Sequence, residues 1–120
     1  MYATGEYAEQ VALMEWCAWQ ANRDARYGLL FAIPNGELRD VVVAGRLKRS
    51  GVRSGVPDLC LPVASGIWHG LFIEMKRRDG GRVAPEQVHW LSALNAQGYL
   101  GVVCHGFDEA RLILSFYLGD

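Results

Sequence analysis

The sequence predicts a single α/β domain with a central mixed sheet flanked by helices. Three observations predict it. The chain has 120 residues, enough for one ordinary domain and too few for two. Hydrophobic residues make up 51% of it and charged residues 21%, so it can bury a real core and is not a disordered chain. Its apolar positions switch between helical spacing and short strand-like runs, in the order α-β-α-β-β-α-β-α.

Taken in order, residues 6–21 read as a helix. Val11, Met14 and Ala18 form one apolar stripe, and Ala12, Leu13, Trp16 and Trp19 a second. A helix apolar on so much of its circumference is central or faces a second surface. Residues 22–28 are a polar break. Residues 29–33 form a short strand closed by a turn at Pro34-Asn35-Gly36. Asp40 can cap a short helix through Val41, Val42, Val43, Ala44 and Leu47 that ends near Gly51. Residues 59–63 and 71–75 read as an antiparallel hairpin turning at Ala64-Ser65-Gly66. Pro85 opens the next helix, where a missing N–H costs nothing, and Gly98 ends it. Ala84 stands where Ser or Thr is the stronger cap. Residues 99–104 form the last strand, and Asp108 is expected to cap a final helix carrying Ala110, Leu112, Ile113, Leu114, Phe116 and Tyr117.

Several function classes drop out. No apolar run approaches the ~18 residues of a membrane span. The first ten residues carry Glu6 and Glu9 and no basic segment, unlike a secretory signal. Cys17, Cys60 and Cys104 are odd in number and far apart, which predicts buried reduced thiols rather than disulfides or a zinc site. A soluble, cytoplasmic protein is expected.

Net charge is −1, yet nine of the twelve basic residues lie between Arg39 and Arg82. They are Arg39, Arg46, Lys48, Arg49, Arg53, Lys76, Arg77, Arg78 and Arg82, while acids gather toward both ends of the chain. A central basic segment in a near-neutral chain can bind phosphate.

The chemistry is concentrated in two short motifs. Pro57-Asp58-Leu59 fixes the backbone just before an Asp that enters a strand. In Ile73-Glu74-Met75-Lys76, Glu74 and Lys76 share one strand face and Ile73 and Met75 the other. A charged pair at the end of a buried strand is costly unless something there needs it. If the two strands pair, Asp58 comes close to Glu74 and Lys76. Two adjacent carboxylates repel, and a hard divalent cation relieves the repulsion. Mg²⁺ suits such a pair when water, a carbonyl and substrate phosphate complete its shell.

Asp58, with fifteen residues between it and Glu74-Met75-Lys76, resembles the PD-(D/E)xK nuclease signature. The blocks Phe31-Ala32-Ile33-Pro34-Asn35-Gly36, Gly51-Val52-Arg53-Ser54-Gly55-Val56-Pro57-Asp58-Leu59, Gly70-Leu71-Phe72-Ile73-Glu74-Met75-Lys76-Arg77, Pro85-Glu86-Gln87-Val88-His89-Trp90-Leu91 and Gln97-Gly98-Tyr99 are similar to a stand-alone phage or bacterial VRR-NUC domain (virus-type replication-repair nuclease). The resemblance implies a restriction-endonuclease-like core. It also implies a Mg²⁺- or Mn²⁺-dependent endonuclease acting on branched DNA, of the Holliday-junction-resolving type, as a homodimer. Asp58 and Glu74 would be metal ligands with the Met75 carbonyl as a third, and Lys76 the catalytic lysine. Gln87 would orient Lys76 or a bound water. A first-helix glutamate would point at the metal: Glu9 first, then Glu6, with Glu15 the remaining candidate. Arg46, Lys48, Arg49, Arg53, Arg77, Arg78 and Arg82 flank that site in sequence and would hold the DNA backbone. The rivals are a structure-blind endonuclease, a catalytically silent DNA-binding module of the same fold, and a subunit targeted by another protein.

His69, His89 and His105 have no local metal spacing and are expected to be structural. Trp16 and Trp90 are expected in the core and Trp19 in the core or a dimer contact, with Trp68 exposed.

Overall fold

The computed structural model describes residues 5–34 and 41–120. Four helices, α1 (Gly5–Gln20), α2 (Val41–Arg49), α3 (Pro85–Ala96) and α4 (Phe107–Leu118), accompany four strands. The strands are β1 (Phe31–Ala32), β2 (Leu59–Leu61), β3 (Leu71–Lys76) and β4 (Leu100–His105). They form one mixed sheet in the order β1-β2-β3-β4, with β1–β2 and β2–β3 antiparallel and β3–β4 parallel. Helix α3 is the crossover between the two parallel strands, which need a connection of that length.

The register decides which side chains are buried together. Leu59 and Leu61 pair with Ile73 and Leu71, and Cys104 with Met75. Alternation puts these six on one face, where α1 and α4 cover them. Leu13 and Cys17 of α1 and Ala110, Leu114, Tyr117 and Leu118 of α4 complete this core with Tyr27 and Leu30. Each fully buried Leu or Ile there contributes ~1.5–3 kcal/mol relative to exposure. The opposite face carries Cys60, Phe72, Glu74 and Lys76 and lies under α3. There Leu91 and Asn95 approach Gly101 so closely that an added Cβ would sit 3.2 Å from the leucine.

The outer edge of β4 is occupied by side chains. Asn95 donates to the Gly101 carbonyl at 3.2 Å and accepts from the Gly101 N–H at 3.0 Å. Glu109 accepts the His105 N–H at 2.7 Å.

Several expectations are corrected. The predicted strand at 29–33 shrinks to two residues, because residues 25–29 form a 3-10 turn whose Arg26 N–H donates to the Asp24 carboxylate. The last helix is not capped by Asp108. Its N-cap is Gly106 at φ +91°, which has no side chain to offer, and Asp108 sits in the first turn. Trp19 is 76% exposed rather than core. Trp68 is half-buried, its ring 6.2 Å from Phe116 and 5.9 Å from Tyr117, rather than exposed. The Asp40 cap and the Asn35-Gly36 part of the first turn lie outside the described residues. The three cysteines are free and buried. Among the described residues no helix is long and apolar enough to cross a membrane.

Candidate active site

Asp58 enters the sheet just beyond the last paired residue of β2. The Ile33 N–H donates to its carbonyl at 2.8 Å, which holds its backbone against β1. The loop before it is pressed onto the start of α3. Gly55, at φ +88°, lies where a Cβ would be 2.6 Å from the Glu86 carbonyl, so only glycine fits. The Asp58 side chain then takes part in the ladder. The register would bring Pro57 opposite Met75, and Pro57 has no N–H for the Met75 carbonyl, while the Met75 N–H donates to Asp58 Oδ2 at 2.7 Å. Successive residues of a strand turn their peptide groups to opposite edges. The Gly70 and Lys76 carbonyls accept from Leu100 and Gly106 on the β4 side. The Met75 carbonyl therefore faces the other edge, where Asp58 lies.

Glu74 and Lys76 are only 2% and 5% exposed. They are 3.5 Å apart as an ion pair, with Gln87 of α3 between them. Gln87 Oε1 accepts from Lys76 Nζ at 2.9 Å and from the Ala84 N–H at 2.9 Å. Its Nε2 donates to Glu74 Oε2 at 2.9 Å. The amide orientation follows, because one end faces only donors and the other a carboxylate. Gln87 also supplies one half of a capping box, its Oε1 taking the N–H of the N-cap residue Ala84, whose own side chain has no oxygen for the other half.

Burial and the mutual repulsion of two carboxylates dominate the electrostatics. Burial, then the Asp58 charge, pushes the Glu74 carboxyl up to about 8, with Lys76 pulling the other way. Burial raises Asp58 also, against the Met75 N–H that favours its charged form. Glu74 Oε1 is buried with no hydrogen-bond partner. A buried ion pair recovers its desolvation cost only when its remaining lone pairs are satisfied, and this one's are not. Two carboxylates and a free-edged carbonyl are hard oxygen donors, and the unpartnered oxygen is among them. The donor set fits Mg²⁺ or Mn²⁺, which bind through one or two carboxylates and keep other positions for water and phosphate.

The structure thus brings together Asp58, Glu74, Met75, Lys76 and Gln87. It does not bring Glu9 to them. Among the described residues no third carboxylate, histidine or cysteine joins Asp58 and Glu74 in a metal-sized cluster. Glu9 sits instead at the N-terminus of α4, where Oε1 accepts from the Phe107 N–H at 2.6 Å and from Arg78 at 3.2 Å. The Phe107 N–H, with burial opposing and Arg78 assisting, holds its carboxyl below the usual range. Glu9 is the cap that Asp108 was expected to be. Glu6 and Glu15 are exposed.

The basic residues divide. Arg46, Lys48 and Arg49 of α2, Arg53 of the loop before Asp58, and Arg82 are exposed. Arg77 pairs with Asp79 at 3.4 Å, and Arg78 with Glu9 and, at 3.3 Å, Asp108. One neighbour was missed from sequence. His105, assigned no role, stands directly across from Lys76 in the β3–β4 register. Only the parallel pairing reveals it, since Lys76 and His105 are 29 positions apart in the chain.

A mixed sheet between helices, with Asp and Glu-x-Lys meeting at the end of its antiparallel pair, defines the PD-(D/E)xK class of core. The model of the VRR-NUC domain family matches residues 5–108. The chain belongs to that family of nuclease domains. A solved structure described as "VRR_NUC domain protein" is similar over 95% of this chain and 88% of its own, with a TM-score of 0.79 and 28% identity. A comparison with curated proteins finds no match.

Proposed function

We propose that this protein is a divalent-cation-dependent DNA endonuclease, selective for branched substrates of the four-way-junction type and acting as a homodimer. One observation carries the reading: Asp58, Glu74 and Lys76 converge at a buried Glu74 oxygen toward which no N–H or hydroxyl donor of the described protein is aimed, so that only a proton shared with Asp58 or a cation relieves the two carboxylates. Asp58 and Glu74, with the Met75 carbonyl, would hold Mg²⁺ or Mn²⁺. Bound there, such an ion lowers the pKa of its water and stabilises negative charge developing at phosphorus.

The protein's own groups supply the rest. Lys76 presents its amine beside the carboxylates, where it orients the attacking water or neutralises the phosphate. Gln87 holds that amine and Glu74 in one geometry through its two ends. Arg46, Lys48, Arg49, Arg53 and Arg82, which have no ion pair among the described residues, would take the DNA backbone, with Arg77 and Arg78 adding what their acidic partners leave. Such contacts weaken with salt as counterions are released. A four-way junction has near-twofold symmetry and needs two cuts, which a twofold dimer supplies. A cytoplasmic setting in a bacterial or phage-infected cell accords with this substrate.

Labelled four-way junction, flap, splayed-arm and duplex DNA with and without EDTA test the reading. The expected result is cation-dependent nicking, greatest on the junction. Lys76→Ala and Asp58→Asn are expected to abolish cleavage while keeping junction binding. Binding with no cation-dependent nicking would make the protein a silent DNA-binding module instead. Parental cutting by either variant would overturn the roles given to these residues.

A further inference from the structure

His105 sits beside Lys76 as its registered partner on the neighbouring strand, so the two side chains share one face of the sheet. Its Nδ1 lies 3.0 Å from the Gly80 carbonyl and 3.3 Å from the Arg77 carbonyl. A carbonyl can only accept, so Nδ1 carries the proton and donates to both. These two carbonyls are the ends of a tight turn that Gly80 closes by donating its N–H to Arg77 at 3.4 Å. The next residue, Gly81 at φ +97°, lies against the lysine. A Cβ there would be 3.3 Å from both Cβ and Cδ of Lys76. The backbone that carries the ring is anchored too, because the His105 main-chain N–H donates to Glu109 at 2.7 Å. Lys76 is thus held at its tip by Gln87 and along its stem by a turn that His105 clamps.

We infer that His105 is a positioning residue for Lys76, acting through an Nδ1–H that locks the 77–80 turn and seats Gly81 against the lysine stem. The inference rests on the reading of Lys76 as the catalytic amine. The clamp needs only the Nδ1 proton. Asparagine places an amide donor near the Nδ1 position, whereas glutamine places one near Nε2.

Cleavage kinetics and NMR of the full chain test this together. Nitrogen–proton spectra of the imidazoles at pH 8 are expected to show His105 as the Nδ1–H tautomer. His105→Ala is expected to lower kcat roughly ten- to a hundredfold with KM little changed, since a small misplacement of a reacting group costs on that scale. His105→Asn should recover most of that loss and His105→Gln little of it. The Lys76 side-chain signals should shift in the Ala and Gln variants and return in Asn. An Nε2–H tautomer, parental kcat in His105→Ala, or equal loss in Asn and Gln would each overturn the clamp. If His105→Ala does not fold, the Asn and Gln pair decides. If the wild type cuts no DNA, the catalytic reading fails while the tautomer and the Lys76 signals still judge the clamp: Nδ1–H with Lys76 signals restored in Asn supports it, and any other pattern refutes it.

Discussion

Replacing Gln87 with alanine removes three hydrogen bonds at once. Lys76 loses its 2.9 Å acceptor and keeps only Glu74 at 3.5 Å; Glu74 Oε2 loses its donor beside an Oε1 that already has none; the Ala84 N–H is left to water. A hydrogen bond to a charged group is worth ~1.5–3 kcal/mol and a neutral one ~0.5–1.5. The bond to the Lys76 ammonium sets the scale, the bond to Glu74 counts as a neutral one while that carboxyl keeps its proton, and because Lys76 and Glu74 can close on each other the losses do not fully add. The expected destabilisation is about 3 kcal/mol, against a few tenths gained from alanine's helix propensity. With a urea slope of about 1.5 kcal/mol/M the midpoint falls by about 2 M. Cleavage should fall in kcat far more than in KM, because DNA is held by other residues. Urea unfolding followed by circular dichroism, with junction cleavage measured alongside, checks both. A midpoint within about 0.5 M of the parent would refute the bridge, and so would parental kcat in a folded Gln87→Ala protein.

Two further outcomes follow from the same geometry. Glu74 keeps its proton up to about pH 8 in the folded chain, but an unfolded carboxyl loses it near 4.5. The folded state therefore binds more protons between those values, and stability of the metal-free protein is expected to fall as pH rises across that window. Added Mg²⁺ should reverse the fall at pH 8 by ~2.7 kcal/mol at a hundredfold excess over its Kd; a thermal shift of the same size in an Asp58→Asn/Glu74→Gln protein would exclude the site. Glu9→Gln should cost ~1–2 kcal/mol by weakening a charge-assisted cap, and Glu9's stabilisation should disappear as pH falls through its lowered pKa. Urea denaturation reads this, and Mg²⁺ affinity should be unchanged; a lost metal response with parental stability would return Glu9 to the metal.

Much of the site was legible because its signals are local. Asp58 follows a proline, Glu74 and Lys76 are two apart on a strand, and Gln87 sits two residues beyond the proline that opens α3. The first three are read from spacing and a hairpin brings them together, while Gln87 was singled out through the family resemblance. Glu9 was misread because its partner is a backbone N–H 98 residues away, a donor that every residue possesses and no pattern marks. Asp108 was preferred as a cap for the same reason: sequence displays side chains near a helix start, not those brought there by another helix. Trp68 is half-buried and Trp19 lies outside the core because an aromatic ring is compatible with core and surface alike. His105 became visible only through a parallel register, which depends on the whole crossover.

The clasp of Asn95 on Gly101 and of Glu109 on His105 N–H has a consequence for assembly. A foreign segment trying to zip onto the sheet beside β4 would find, of the three residues turned outward there, only Val103 with both peptide groups to offer. At the opposite margin β1 has just two residues. Among the described residues the sheet stops at four strands, and neither margin offers a second molecule a long ladder to prolong.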